Sequence, residues 1–260
     1  TVPTKLANPS LKWEASEQTN IGLDMTTLGS SLTLTLDYYI KKTKDWQVAA
    51  PIPTLVGNGA PTINGGEVKN SGIEAEISYR KQIGKLYLGA SVNGAFNKSE
   101  VLDLENTEKV LKGGDGGFGQ SELIYVQVGL PMGVFFGVQT DGIFQNQTEV
   151  DSYVNRTGGK IQPNARPGDI RFVDANGDGT ISDGDRVQIG SPLPDFTGGL
   201  NLNAEIYGFD FNMFLYAALG QEIYSATRRY DMNYANYPAE WLNRWTGEGT
   251  SDKYPRVTFA

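Results

Sequence analysis

Residues 73–96 read IEAEISYRKQIGKLYLGASVNGAF, and apolar and polar side chains alternate in this stretch on both sides of a short polar turn. The apolar positions are Ile73, Ala75, Ile77 and Tyr79 before the turn, and Leu86, Leu88, Ala90, Val92 and Phe96 after it. A period of two residues is typical of a β-strand whose two faces meet different surroundings. The stretch therefore predicts a β-hairpin, over about residues 70–98, that turns at residues 82–85.

The same alternation returns twice, over about residues 19–46 and 198–216. The apolar positions of the first are Ile21, Leu23, Met25, Leu32, Leu34, Leu36, Tyr38 and Ile40. Those of the second are Leu200, Leu202, Ala204, Ile206, Phe209, Phe211, Met213 and Leu215. The chain is therefore predicted to be all-β and antiparallel. Alternation by itself does not decide whether the apolar face meets a protein core or lipid.

The lengths of the connections indicate that the apolar face meets lipid. Inside the hairpins the connections are short, at residues 26–30, 82–85 and 208, whereas the connections outside them are long, at about 47–68, 97–197 and 217–260. Outer-membrane barrels combine tight periplasmic turns with long extracellular loops. The long connections are accordingly predicted to be outer loops, and the β-prone runs at 123–128 and 134–144 to belong to a structured loop that does not cross the membrane.

Six crossing strands are too few for a complete barrel, because even the smallest barrels need about eight. Residues 1–260 are therefore expected to be part of a larger barrel. Residues 1–10 lack the charged and then apolar layout of a signal peptide.

Composition excludes several classes of function. Cys and His are both absent from the 260 residues, so disulfides, thiolate–metal sites and a Ser-His-Asp triad are impossible. The net charge of −8 argues against a nucleic-acid partner, which would need clustered Lys and Arg. Glu74 and Glu76 share a strand face, but the polar lining of a barrel explains them more simply than acid–base catalysis does. We expect no enzymatic activity.

Residues 174–185 read DANGDGTISDGD, which is a spacing that suits a calcium-binding loop. The candidate ligands are Asp174, Asn176, Asp178, Thr180, Ser182 and Asp185. The last position carries Asp instead of the usual Glu, and no helical pattern flanks the loop. A structural calcium ion is the prediction, with an Asx-rich turn that needs no metal as the alternative.

Aromatic residues are frequent in the last long connection. Tyr230, Tyr234, Tyr237, Trp241 and Trp245 lie there among several arginines. Such rings can stack on the faces of sugars, and they can equally attach a loop to itself or to a partner protein. They are candidate ligand or partner contacts. Aromatic residues at the strand ends, such as Tyr79 and Phe209, suit the girdle of a membrane interface.

Eight short segments together resemble one family. They are NPSLKWE (8–14), QTNIGLD (18–24), DYYIKKTKD (37–45), GEVKNSGIE (66–74), TDGIFQ (140–145), PGDIRFVD (167–174), GSPLPDF (190–196) and RWTG (244–247). In this order they resemble the C-terminal barrel of the SusC/RagA family of TonB-linked outer-membrane proteins.

This resemblance implies a partial C-terminal domain of a 22-stranded transmembrane β-barrel in the bacterial outer membrane. Its signal peptide, plug and final strands are expected to lie outside these 260 residues. The resemblance further implies uptake of an oligosaccharide or a peptide, powered by TonB, with a SusD-like lipoprotein as an outer lid. Our functional prediction is a nutrient importer, with oligosaccharides as the cargo. The alternative is a secreted, calcium-binding β-sandwich that binds carbohydrate.

Overall fold

The computed structural model describes residues 6–50, 58–113, 122–225 and 238–257. The strands in chain order are β1 (Ala15–Thr27), β2 (Leu32–Lys44), β3 (Gln47–Ala49), β4 (Thr62–Asn64), β5 (Gly66–Ile83), β6 (Leu86–Leu104), β7 (Val110–Gly113), β8 (Ile124–Gln127), β9 (Val134–Val138), β10 (Thr140–Ile143), β11 (Ile170–Phe172), β12 (Arg186–Gly190), β13 (Phe196–Ile206) and β14 (Phe209–Leu219). One α-helix, α1, spans Gln147–Ser152, and two 3-10 helices span Asp183–Asp185 and Ala239–Asn243. None of the described helices has the length and apolar composition of a membrane-spanning helix.

The chain forms two compact units. The first contains Thr1–Lys112, Tyr125–Val134 and Ser191–Ile223, and the second contains Gly113–Ile124, Phe135–Gly190 and Tyr224–Ala260.

A six-stranded antiparallel sheet in the order β1-β2-β5-β6-β13-β14 makes up most of the first unit. Its register brings the apolar positions of all six strands onto one face. One row across the sheet is Met25, Leu34, Ile77, Val92, Leu200 and Leu215. These side chains are exposed over large fractions, for example 69% for Ile21 and 62% for Phe96. A broad exposed apolar face of this kind is what the lipid-facing wall of a barrel presents.

The structure confirms the predicted fold class. The sheet is antiparallel, and its edge strands β1 and β14 each have one neighbour among the described strands, so the barrel is not closed within this chain. A β-sandwich would bury the apolar face against a second sheet. Among the described residues the apolar side chains stay exposed, and the sandwich alternative is therefore not supported.

Strands β5 and β6 continue well beyond the apolar band at the end opposite their turn. They reach Gly66 and Leu104, further than the predicted hairpin of 70–98. Here the other face of the sheet is buried, with Val68, Val101 and Leu104 at its centre. The partly buried side chains of Trp46, Leu111, Val126, Val128 and Met132 pack against these three residues. The chain that follows β6 thus folds back onto the extended strands.

The second unit has a small core of its own. Strand β9 pairs with β12 and β10 with β11, both in antiparallel fashion. Phe144 is fully buried and its ring lies 5.7 Å from that of Tyr153. The N-terminus of α1 is capped by Asn146, whose side chain accepts a hydrogen bond from the amide of Glu149.

Candidate functional site

The face of the six-stranded sheet opposite the apolar band is polar. One row across it is Asp24, Thr35, Glu76, Asn93, Gly199 and Tyr216. Neighbouring side chains on this face bond to one another: the Thr35 hydroxyl donates to Asp24 at 2.8 Å, and the Ser78 hydroxyl donates to Glu76 at 3.0 Å. In a barrel this face lines the lumen. The arrangement supplies many hydrogen-bonding groups.

A shallow depression of about 250 Å³ lies in the middle of this polar face. Asp37, Glu74 and Glu76 contribute carboxylates to its wall, and Asn93 and Thr197 contribute neutral polar groups. The carboxylates of Glu74 and Glu76 are thus part of the lining, as expected from the sequence. Hydroxyl-rich or cationic molecules suit such a surface, whereas anionic ones are repelled by it.

Two aromatic residues on the polar face were not singled out from the sequence. Phe214 and Tyr216 project from β14 and are 67% and 65% exposed. Their neighbours on β13 are Asn201 and Gly199, and Gly199 has no side chain that could crowd the rings. The signal was present in the sequence, because both residues share the alternation of the polar Asp210 and Asn212 along β14. An exposed ring beside amide groups is a surface on which a flat ligand can stack.

The predicted calcium loop is closed by its own hydrogen bonds. The two carboxylate oxygens of Asp174 accept the amides of Gly177 and Gly179 at 2.7 and 2.8 Å. The side-chain oxygen of Asn176 accepts the amide of Asp178 at 2.8 Å, and Asp178 in turn accepts the amide and hydroxyl of Thr180, both at 2.8 Å. Such Asx turns let short polar side chains replace regular backbone pairing. The bonds from Thr180, and one from Asn176, hold the pKa of Asp178 below its usual value.

Asp185 is the last residue of this loop and is fully buried. One of its oxygens accepts the amides of Ala175 and Asn176 at 2.9 and 3.3 Å, and the other accepts the amide of Ser182 at 2.7 Å. The bond from Ser182, followed by those from Asn176 and Ala175, lowers the pKa of Asp185 although burial opposes this shift. Asp185 is therefore a buried carboxylate that accepts hydrogen bonds from three backbone amides of the loop.

The loop carboxylates point at backbone amides and not at one common centre. Within the described part of the chain, no group of three or more Asp, Glu, His or Cys residues is arranged as a metal cage. Calcium binding by this loop stays a prediction.

The predicted aromatic contacts lie only partly within the described chain. Tyr230, Tyr234 and Tyr237 fall outside the described residues. Trp241 belongs to the second 3-10 helix, and its ring lies 6.1 Å from that of Tyr254. The amide of Trp245 donates to the carbonyl of Tyr254 at 2.8 Å. Within the second unit Trp241 thus makes a ring contact and Trp245 a backbone hydrogen bond. Ligand contact by either residue stays a prediction.

The segment 167–169 anchors the chain near its last described residues. The Arg256 guanidinium forms two bonds to the Asp169 carboxylate, at 2.6 and 3.2 Å, and the Arg256 amide donates to the Gly168 carbonyl at 2.8 Å. Gly168 has a φ of +90°, and a β-carbon there would collide with the ring of Trp245 and the side chain of Arg256. Local sequence patterns did not predict this clamp, because its members are almost 90 residues apart.

Comparison with known proteins connects the sheet to one family. Residues 2–126 match a family model described as TonB dependent receptor-like, beta-barrel. TonB-dependent receptor P3 of Formosa agariphila is 32% identical over 258 residues, which are 98% of this chain and 25% of that protein. TonB-dependent receptor SusC of Bacteroides thetaiotaomicron is 30% identical over 226 residues, 85% of this chain and 21% of that protein. The chain thus spans about a quarter of the length of these relatives.

Solved structures show the same fold. The structure of the RagAB peptide transporter superposes with a TM-score of 0.62 at 21% identity, over 82% of this chain and 22% of that chain. The RagAB peptide importer in its open-open state gives a TM-score of 0.60 at 22% identity, over 82% of this chain and 21% of that chain.

Proposed function

We propose that this chain, which belongs to the TonB-dependent receptor family of outer-membrane β-barrels, forms part of the wall of an importer that takes up oligosaccharides. The importer is proposed to draw energy through TonB and to work with a SusD-like lipoprotein that covers its outer opening. No catalytic step is assigned to any residue.

One observation carries this proposal: the sheet has an apolar band on one face and a polar lining on the other. Strands β13 and β14 are each 11 residues long, which is the length that a tilted strand needs to cross a bilayer. Apolar side chains exposed over so wide an area would be unfavourable in water by about 25 cal/mol per Å². Lipid removes this cost, and the polar face then borders a hydrated passage.

The character of the polar face supports a sugar cargo. Carboxylates and amides, such as those of Glu76 and Asn93, bond well to hydroxyl groups, and the rings of Phe214 and Tyr216 offer stacking surfaces. A peptide is the second candidate, because the similar RagAB structure is that of a peptide transporter. The acidic wall would favour neutral or cationic peptides over acidic ones.

We propose that the lid lipoprotein contacts the long connections at 97–197 and 217–260. The alternation of short and long connections supports their placement on the outer side. The buried clusters found within these connections support a role as shaped docking surfaces and not as loose tethers.

We also propose a structural calcium ion in the loop 174–185, on the strength of its ligand spacing. The test is protease protection of the outer loop with and without calcium, using Asp178→Ala. Calcium should protect the unaltered loop, and the variant should lose this protection. Equal protection of the loop from protease in the presence of a chelator would contradict calcium binding.

The importer is tested by deleting the gene in its host and measuring growth on separate oligosaccharides and on peptides as sole nutrients. Loss of growth on one oligosaccharide class, restored by the intact gene and restored less well by Tyr216→Ala, is the expected result. Loss of growth on peptides alone would assign a peptide cargo. Undiminished growth on every nutrient would contradict the proposal.

A further inference from the structure

The apolar band ends in a charged rim at the end of the sheet that carries the long connections. On the same face as the band, beyond Tyr38 and Phe96, the register places the lysines at 42, 44, 69 and 98. Rows of Lys directly beyond an apolar band are typical of the level at which lipid headgroups begin. This rim therefore marks the boundary between the lipid tails and the headgroups.

Three of the four rim lysines are paired with carboxylates, and the fourth is not. The distance from the lysine Nζ to the nearest carboxylate oxygen is 2.9 Å for Lys44 and Glu17, 3.3 Å for Lys69 and Glu100, and 4.0 Å for Lys42 and Glu67. Lys98 stands opposite Ser71 and, within the described part of the chain, has no carboxylate within 4.0 Å. Its charge is available to an anion that is not part of this chain.

Lys98 stands at the edge of an apolar groove of about 520 Å³. The sheet forms one wall with Tyr38, Ile73 and Phe96, which are all exposed members of the apolar band. Leu193 and Pro194, in the segment that leads into β13, form the other wall. The groove is therefore continuous with the lipid-facing band at one end and reaches the charged rim at the other.

The polar groups at the rim end suit a phosphate. Ser71 and Ser191 line the groove together with Lys98. The Ser191 hydroxyl oxygen accepts the amide of Leu193 at 3.2 Å and keeps its proton for donation, whereas the Ser191 amide donates to the Glu222 carboxylate at 2.6 Å. One carboxylate, that of Asp195, also belongs to the lining, but its oxygen lies against Gly220 at the end of β14. The Asp195 carbonyl accepts the amide of Asn97 at 3.3 Å, which continues the register of β13 with β6 and places the Asp195 side chain on the polar face of the sheet, whereas Lys98 is on the apolar face.

We propose that this groove binds one phosphate-bearing lipid of the outer leaflet. An acyl chain lies along Ile73 and Phe96, and the phosphate is held by Lys98 with hydroxyls from Ser71 and Ser191. The occupant is a lipid and not a soluble anion, because the groove opens onto the face that contacts the bilayer. The proposal is independent of the cargo that the importer carries.

The test uses the full-length receptor purified from outer membranes in mild detergent, with bound lipid detected by native mass spectrometry. Lys98→Gln is compared with Lys41→Gln, which removes a charge from the polar face of β2 at nearly the same height. Titration with a phosphate-bearing glycolipid should show about fivefold weaker binding for Lys98→Gln, the factor that corresponds to about 1 kcal/mol for one Lys near an anionic headgroup. Lys41→Gln should bind as the unaltered protein does.

A second variant, Phe96→Ala, tests the apolar wall and should weaken lipid binding. Because the Phe96 ring also lies 4.9 Å from that of Phe196, lipid binding is compared per folded receptor. Equal lipid binding by all variants would overturn the proposal. So would equal affinity for a lipid that lacks phosphate, because Lys98 would then have no role. Cross-linking between two copies through the groove would assign it to self-association and would also contradict the lipid site.

Discussion

Gly168 illustrates how a single residue determines local packing. Its φ of +90° is costly for residues with a side chain, and the Trp245 ring and Arg256 stem fill the place of a β-carbon. The neighbouring ion pair between Asp169 and Arg256 then holds the last described segment against this turn. Gly168 is therefore needed both for its positive φ and for the close approach of Trp245 and Arg256.

We expect Gly168→Ala to destabilise the second unit by about 1–3 kcal/mol, from backbone strain together with overpacking. Gly158→Ala is the matched control, because Gly158 has a similar φ of +85° but open space within 4 Å of the position that a methyl group would take. The measurement is resistance of the folded protein to protease over a temperature series. If both variants lose the same stability, the collision with Trp245 does not contribute.

Asp185 is the second residue with a consequence beyond its own position. Its lowered pKa means that the hydrogen bonds to it stabilise the loop fully above the pKa of an unfolded Asp, about 3.9. This contribution is lost as the pH falls through the lower folded pKa. The loop is therefore expected to keep its order in mildly acidic medium.

Replacing Asp185 by Asn should increase hydrogen exchange at the amides of Ala175 and Ser182, because an NH₂ group replaces one of the accepting oxygens. Asp183→Asn is the control, since the Asp183 side chain is 98% exposed. The measurement is hydrogen–deuterium exchange at neutral pH, in the presence of chelator. Unchanged exchange in Asp185→Asn would show that the carboxylate does not organise the loop.

At the scale of single elements, each strand of the large sheet separates two environments by alternation. On β6, Val92 belongs to the apolar row and is 53% exposed, whereas Asn93 belongs to the polar row beside Glu76. Adjacent residues in one strand thus face lipid and lumen. A charge is tolerated on one face and is costly on the other.

We expect Val92→Arg to destabilise the receptor folded in a bilayer by about 2–4 kcal/mol, which is the cost of a cation at the membrane midplane. Asn93→Arg should have little effect, because it adds a cation next to the Glu76 carboxylate. Denaturant titration of the full-length receptor in lipid vesicles provides the measurement. Equal effects of the two variants would contradict the assignment of the faces.

At the scale of the whole molecule, the sheet order joins segments that are distant in the sequence. Strand β6 pairs with β13, although residues 105–195 intervene, and most of this long segment belongs to the second compact unit. The hairpin turns are short and the connections outside the hairpins are long. This arrangement predicts that the turns face the periplasm and the connections face the medium.

Cysteines introduced at Ser30 and at Asp183 in the full-length receptor test this orientation, since the chain has no native Cys. A membrane-impermeant thiol reagent added to intact cells should label Asp183→Cys and leave Ser30→Cys unlabelled until the outer membrane is opened. Labelling of both sites in intact cells would overturn the topology.

The polar rows and the acidic loop show how far the site could be predicted. The residue types and spacing of 174–185 indicated an ordered acidic loop, but they did not reveal that Asp185 is buried among backbone amides. The exposed rings of Phe214 and Tyr216 followed the alternation of β14, yet their importance depends on which strands lie beside them. A local pattern predicts on which face of a strand a side chain lies, but it does not predict which residues of other strands lie beside it.

The sequence by itself determined the three hairpins, their apolar faces and the likeness to an outer-membrane family, because a two-residue period and short turns are local properties of the chain. Only the tertiary structure decided the register that aligns the apolar rows of six strands, the pairing of β6 with β13, the groove beside Lys98 and the clamp at Gly168. These features join residues far apart in the chain. Their positions depend on how all the strands pair and pack together, which no local period specifies.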